Sequence, residues 1–242
     1  MQNEDQWKPS KFENRNGAWR ASRSALKPSS WLMGDLYAEA YSRSIDAHAR
    51  GRVIDVGCGP APLYGMYQPK AATITCVDWA NSLHDVSFCD SFVNLNETWD
   101  LPADAFDTVI ATDVLEHLHN PANFFSEAAR ICSPGGKLII GVPFLYWIHE
   151  APHDHMRHTE FSLRRFCELN SLTVLELSPT GGAPEVLCDI FLKTLAPRRL
   201  KKILYRMSRA ILSTGKLRSV SMRTRKAFPL AYVLVAEKTT KH

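Results

Sequence analysis

Residues 52–59 read Arg52-Val-Ile-Asp-Val-Gly-Cys-Gly59. A short β-branched run ending in glycines predicts a buried strand that enters a tight turn. In a doubly wound sheet, ligands bind outside the carboxyl ends of the strands, at such a turn, and glycine lets the backbone approach them closely. The turn is acidic: Asp55 precedes Gly57, and Asp78 ends the next predicted strand 19 residues after Gly59. A carboxylate at that place can accept both hydroxyls of a ribose. The dinucleotide pattern Gly-x-Gly-x-x-Gly is not completed, because Pro62 stands at its third position. A carboxylate also repels a pyrophosphate and favours a ligand carrying a cationic amino group.

Outward from this turn, strands alternate with helices. Apolar residues 31, 32, 36, 37, 40, 41 and 45 recur at helical spacing after Ser30, a candidate cap. Further strands are predicted over 73–78, 91–95, 107–113, 137–142, 172–177 and 231–238, with helices over 121–132 and from Thr159 to about residue 169. The alternation implies an α/β sheet covered on both faces. Residues 1–29 are polar and rich in Ser, Asn, Lys and Pro, which predicts a flexible N-terminal arm before a domain over 30–242.

Of 242 residues, 45% are hydrophobic and 22% charged, which suits a globular core and excludes wholesale disorder. No stretch reaches the ~18 apolar residues of a membrane span, and the N-terminus lacks the apolar core of a secretory signal. The six cysteines form no Cys-x-x-Cys pair, which argues against a zinc ribbon or disulfide scaffold and points to the cytoplasm. The net charge of +4 is uneven: residues 198–226 hold eleven Lys/Arg and no acid, leaving the rest of the chain net acidic. Such a segment predicts a local docking surface.

From about residue 52 to 159, and again in its last two strands, the chain resembles the class I S-adenosylmethionine-dependent methyltransferases. VIDVGCGPAP is similar to the family's first motif; LPADAFDTVIATDVLEHLHNP and ARICSPGGKLII are similar to its fourth strand, the following helix and its fifth strand. The resemblance implies a Rossmann-like, doubly wound, mostly parallel seven-stranded sheet and S-adenosyl-L-methionine as cofactor. By the match, Asp55, Gly57 and Gly59 line the methionine end of the cofactor. Ala61 departs from a third glycine that is common there. Asp78 holds the ribose, Trp79 flanks the adenine, and Asn94-Leu95 stands where relatives carry Asp followed by an apolar residue. Asp113 joins this set at the end of the fourth strand. Asp113-Val-Leu-Glu116 does not resemble the Asn/Asp-Pro-Pro-aromatic turn of amino-group DNA methylation, and no Pro-Cys nucleophile of pyrimidine methylation occurs.

The segment VPFLYWIHEAPHDHMRHT (142–159) follows the fifth strand. His149-Glu-Ala-Pro-His153 formally fits the zinc pattern His-Glu-x-x-His, which requires a helix that Pro152 opposes; no metal is assigned. Polysaccharide-modifying methyltransferases that this chain resembles carry a comparable segment over the methyl donor. Transfer to a hydroxyl needs positioning and removal of a proton, and a histidine titrating near neutrality suits the base. His153 is the first candidate and His149 the second, with Asp154 orienting the imidazole and Arg157 holding an anionic substrate group. Glu116-His117 resembles the family's Leu-Glu-His element and reads as packing behind the site.

Residues 178–229 lengthen a connection that is short in the common class I architecture. Within it Leu200, Ile203, Leu204, Met207 and Ile211 define one apolar helix face, with Lys201, Lys202, Arg206 and Arg209 on others. Three readings compete: docking on an anionic membrane, a lid whose apolar face packs on the body, and, less favoured, nucleic-acid binding. The whole predicts a cytoplasmic enzyme, peripheral at the inner face of the membrane. It would O-methylate a small molecule or a lipid-linked envelope glycan, as in polysaccharide biosynthesis. The alternatives are a soluble enzyme acting on a quinone, lipid or other metabolite, an RNA methyltransferase, and a non-enzymatic cofactor-binding protein.

Overall fold

A computed structural model describes residues 1–240. The chain opens with a hairpin, β1 (Phe12–Arg15) and β2 (Ala18–Ala21), followed by helix α1 (Trp31–His48). Strand β3 (Gly51–Val56), short helix α2 (Tyr64–Tyr67), β4 (Ala71–Asp78) and the two-residue β5 (Ser91–Phe92) come next. Then follow β6 (Phe106–Thr112), α3 (Pro121–Ile131), β7 (Cys132–Pro143), α4 (Glu160–Leu169) and β8 (Leu172–Thr180). Helices α5 (Ala183–Thr194), α6 (Lys201–Leu212) and α7 (Gly215–Thr224) precede the last strand, β9 (Ala231–Lys238).

Seven strands form one sheet in the order β5-β4-β3-β6-β7-β9-β8. All pairs from β5 to β7 are parallel, and β9 runs antiparallel to both of its neighbours. The expected Rossmann-like, mostly parallel seven-stranded sheet is therefore present. The strand order reverses between β3 and β6, and in such sheets the ligand crevice opens there, at the carboxyl edge. Side chains alternate across the pleat. Ile54, Val109 and Ile140 pack under α3, whereas Val53, Ile110 and Ile139 pack under α1 with Tyr37, Tyr41 and Ile45. Burial on both faces explains why these strands read as continuous apolar runs.

Four expectations change. The edge strand predicted over 91–95 stops at Phe92, because Val93 and Leu95 turn into the core. Ser30 makes no side-chain cap; a single 3-10 turn over Pro28–Ser30 leads into α1 instead. The flexible arm over 1–29 is corrected to a packed segment. Asn16 and Gly17, both at positive φ, close the hairpin. Phe12 is fully buried edge-on to Tyr41, Trp7 donates its indole N–H to the Ala61 carbonyl at 3.0 Å, and the terminal amine bonds the Ile74 carbonyl at 2.9 Å. Three aromatic anchors, Trp7, Phe12 and Trp19, outweigh the polar composition that surrounds them. Finally, the apolar stripe of α6 packs on the body only in part: Leu204 joins the cluster of Trp31, Leu32 and Leu192, whereas Leu200, Ile203, Met207 and Ile211 stay exposed. Tyr205 takes the buried place, and its hydroxyl bonds the buried Asp35 carboxylate of α1.

Candidate active site

Two cavities meet at the carboxyl edge of the sheet. The larger holds about 390 Å³ and is walled by Gly57, Asp78, Trp79, Asn94, Leu95 and Asp113, with His117 and His153 across from them. Gly57 has φ +72°, and a Cβ there would lie 2.5 Å from a Val114 methyl, so only glycine keeps this wall open. Asp78, nearly buried, accepts the backbone N–H groups of Gly59 and Trp79, each at 2.6 Å. These bonds fix the carboxylate and leave each oxygen a further lone pair for a ligand hydroxyl. Asn94 holds its turn by accepting the Asn96 N–H at 3.2 Å. Six of the eight expected cofactor residues thus share one wall.

Asp55 and Gly59 stand behind it. The Gly59 N–H serves Asp78. Asp55 accepts the Tyr67 hydroxyl at 2.9 Å, and burial pushes its carboxyl up to about 7, with Tyr67 opposing and Asp78 adding to the rise. The groups on the wall fit S-adenosylmethionine: an open glycine turn, a fixed carboxylate for a ribose and an indole beside it, with no lysine or arginine among the described lining residues to call for phosphate.

The smaller cavity, about 190 Å³, is lined by Lys11, Tyr37, Asp113, Glu116, Tyr146 and His149 among others. Asp113 and Glu150 belong to both cavities. Asp113 sits at φ +56°, an uncommon conformation for a residue with a side chain, held by its N–H on the Gly141 carbonyl. Its carboxylate pairs with Lys11 and accepts the Tyr41 hydroxyl at 3.0 Å. Burial would lower the Lys11 pKa, but Asp113 outweighs it and keeps the ammonium charged.

The histidine loop divides between the cavities. His153 turns its ring edge to Trp79, 5.6 Å between centroids, and its carbonyl faces the His117 ring Nδ1 at 3.0 Å. It therefore lies at the indole end of the larger cavity. His149 lies at the smaller one, with Nε2 3.6 Å from Glu116 Oε1 and Nδ1 3.3 Å from Asp154 Oδ2. Burial would lower its pKa, but Glu116 and then Asp154 raise it above the ordinary imidazole value. Glu116 is fully buried with neither carboxylate oxygen hydrogen-bonded, and burial raises its pKa despite His149 nearby. Asp154 orients this loop, accepting the His149 backbone N–H at 2.9 Å. Arg157 is committed to Asp154, which it holds well below the usual carboxylate range, so the structure does not leave it free for a substrate anion. Ligating atoms of Glu116, His117 and His149 gather within 4.8 Å, a set suited to proton transfer and equally to a divalent cation.

Sequence reasoning missed Lys11, Tyr37, Tyr41 and Tyr146, and placed Glu116 only as packing. The Leu-Glu-His element was a usable signal for Glu116; nothing in the local sequence marks Lys11.

A family profile described as "Methyltransferase domain" matches residues 20–177. The chain belongs to this methyltransferase family. S-adenosylmethionine is its cofactor, and the methyltransferase is an enzyme rather than a cofactor-binding protein without turnover. A "Ubiquinone biosynthesis O-methyltransferase" of Coxiella burnetii is 25% identical over 203 residues, 73% of this chain and 86% of the relative. One of Xanthomonas euvesicatoria is 32% identical over 102 residues, but this match spans only 38% of the chain and 43% of the relative. Among solved structures, an S-adenosylmethionine-dependent methyltransferase from Mesorhizobium loti shares the fold with TM-score 0.54 and 13% identity over 85% of this chain and 99% of that one. Phosphoethanolamine N-methyltransferase 2 of Haemonchus contortus, solved with S-adenosyl-L-methionine, gives 0.56 and 13% over 88% and 56%. Among the described residues of the methyltransferase, no helix is long and apolar enough to cross a membrane.

Proposed function

We propose that the enzyme O-methylates a hydroxyl of a small aromatic, quinol-type metabolite, with His149 as the base. The observation that carries this is the placement of His149 beside the buried Glu116, neither of whose oxygens is hydrogen-bonded, in a cavity that meets the cofactor cavity at Asp113. The volume suits one substituted ring, since roughly 150 Å³ accommodates benzene, and Tyr37 and Tyr146 supply aromatic walls. The names of the ubiquinone-biosynthesis relatives favour a quinone-type acceptor over the glycan reading. The cofactor supplies an electrophilic methyl group bonded to a sulfonium. With the cofactor bound to supply the methyl group, His149 Nε2 would take the proton of the acceptor hydroxyl and so make its oxygen the nucleophile. Glu116 then stabilises the imidazolium, and Asp154 holds the loop in register.

A second reading rests on the same cluster: a divalent cation held by Glu116, His117 and His149 would lower the pKa of the hydroxyl directly. A methyl-transfer assay with labelled cofactor over catechols, quinols, lipid-linked sugars and RNA, with and without chelator, separates these outcomes. Turnover of phenolic acceptors that resists chelation supports the base. Loss on chelation with recovery on adding Mg²⁺ or Mn²⁺ selects the cation. Transfer to sugar or RNA alone rejects the proposed acceptor.

A further inference from the structure

The insertion carries an apolar face that the fold leaves open. Leu200, Ile203, Met207 and Ile211, spaced along one side of α6, are between 46% and 55% exposed. This helix already has a buried side, where Tyr205 and Arg209 reach Asp35. The exposed stripe is thus a second, unpartnered face. On the neighbouring helix α5, Leu187 and Ile190 are 67% and 51% exposed. The surrounding charge is of one sign. Of the eleven Lys/Arg in 198–226, Arg209 alone makes an ion pair among the described residues.

The position of this face ties it to the active site. Pro143 of β7 and Thr180 of β8 both pair with Ala231, so β8 ends at the carboxyl edge, and the insertion leaves from the edge that holds the two cavities. Lys193 of α5 packs on the Tyr146 ring at 3.9 Å, and Tyr146 lines the smaller cavity. Next to it, Trp147 and Ile148 are 60% and 76% exposed.

We propose that α5 and α6 form a docking face for a bilayer of anionic phospholipid. The aliphatic stripe enters the boundary of headgroups and acyl chains, and Lys202 and Arg206 beside it engage lipid phosphates. RNA offers no medium for a row of aliphatic side chains, and a second copy packed face to face would oppose like charges. Docking brings the mouth of the acceptor cavity to the membrane surface, where an acceptor dissolved in lipid is within reach. That last step rests on the quinol-type reading above; the docking itself does not.

Sedimentation of the full chain with vesicles tests it, using phosphatidylcholine alone and phosphatidylcholine with about a third phosphatidylglycerol. Binding to the second only, reversed by high salt, is expected. Lys202→Gln with Arg206→Gln should weaken it roughly tenfold or more, and Ile203→Ser with Met207→Ser should weaken it comparably. Circular dichroism and S-adenosylhomocysteine titration should match the unmodified protein in both variants, showing an intact fold and cofactor site. Absence of binding, equal binding to both vesicles, or wild-type binding by both variants overturns the proposal. So does RNA binding lost in the charge variant while vesicles are ignored. Because no methyl acceptor enters the measurement, a wrong acceptor class leaves this result untouched.

Discussion

At the scale of single residues, the site turns on how burial and neighbouring charge set proton affinities. His149 is held above the ordinary imidazole range by Glu116 and Asp154 against the opposing effect of burial. As a base it works only when neutral, so kcat should rise with pH through a value above 6.5. Glu116→Gln removes the main raising partner and should move that limb to lower pH; an unmoved limb would detach Glu116 from the base. His149→Ala should cost about 10²–10⁴ in kcat while affinity for S-adenosylhomocysteine stays within a few fold. His153→Ala, at the indole end, should leave kcat much closer to wild type, and the opposite ranking in turnover assays would restore His153 as base. Asp78 has a different duty. Its carboxylate is fixed by two backbone N–H groups, and Asp78→Ala should weaken calorimetric cofactor affinity by about 1.5–3 kcal/mol.

Among the elements, the hairpin β1–β2 has the largest consequence. It carries Lys11 to Asp113 across 102 positions of sequence, and it does so because Phe12 is buried beside Tyr41. Phe12→Ala should lower stability by about 3–5 kcal/mol in denaturant titrations, since a large ring leaves a cavity that the surroundings only partly fill. A change below 1 kcal/mol would mean that the hairpin is only loosely docked. Helix α1 takes part in the same construction: Tyr41 crosses over Gly141, where a Cβ would collide with the ring, and so reaches Asp113. The acceptor cavity is therefore built by the N-terminal segment, α1 and the loop after β7 together.

Across the whole molecule, burial of Asp55 beneath the cofactor turn makes stability depend on pH. Its folded pKa of about 7 exceeds the ordinary value of 3.8, so the folded state holds this proton more tightly than the unfolded chain. The contribution is fully present below about pH 4 and is lost as pH rises through 7. Tm of the cofactor-free protein should fall between pH 5 and pH 7 on this account and level off above. Asp55→Asn, which keeps an acceptor for Tyr67, should flatten that slope in calorimetric scans. An identical slope would place the dependence on other groups.

The sheet, its turn and the cofactor were legible because they rest on local patterns. β-branched runs, Gly57 at a positive φ and an acid ending β4 act within a few residues of themselves, and both-face burial writes itself as continuous apolar strands. The acceptor cavity was not legible. Lys11, Tyr37, Glu116 and His149 come from four separate stretches, and only packing decides that they converge. The same holds for α6. Periodicity marked its apolar stripe, yet the side that faces the body carries Tyr205, edge-on to Trp31 and bonded to the buried Asp35 170 positions away, with Leu204 and Leu212 beside it. A buried carboxylate needs polar partners, and Asp35 gathers Arg23, Tyr205 and Arg209 from two distant stretches, an arrangement that local periodicity does not record.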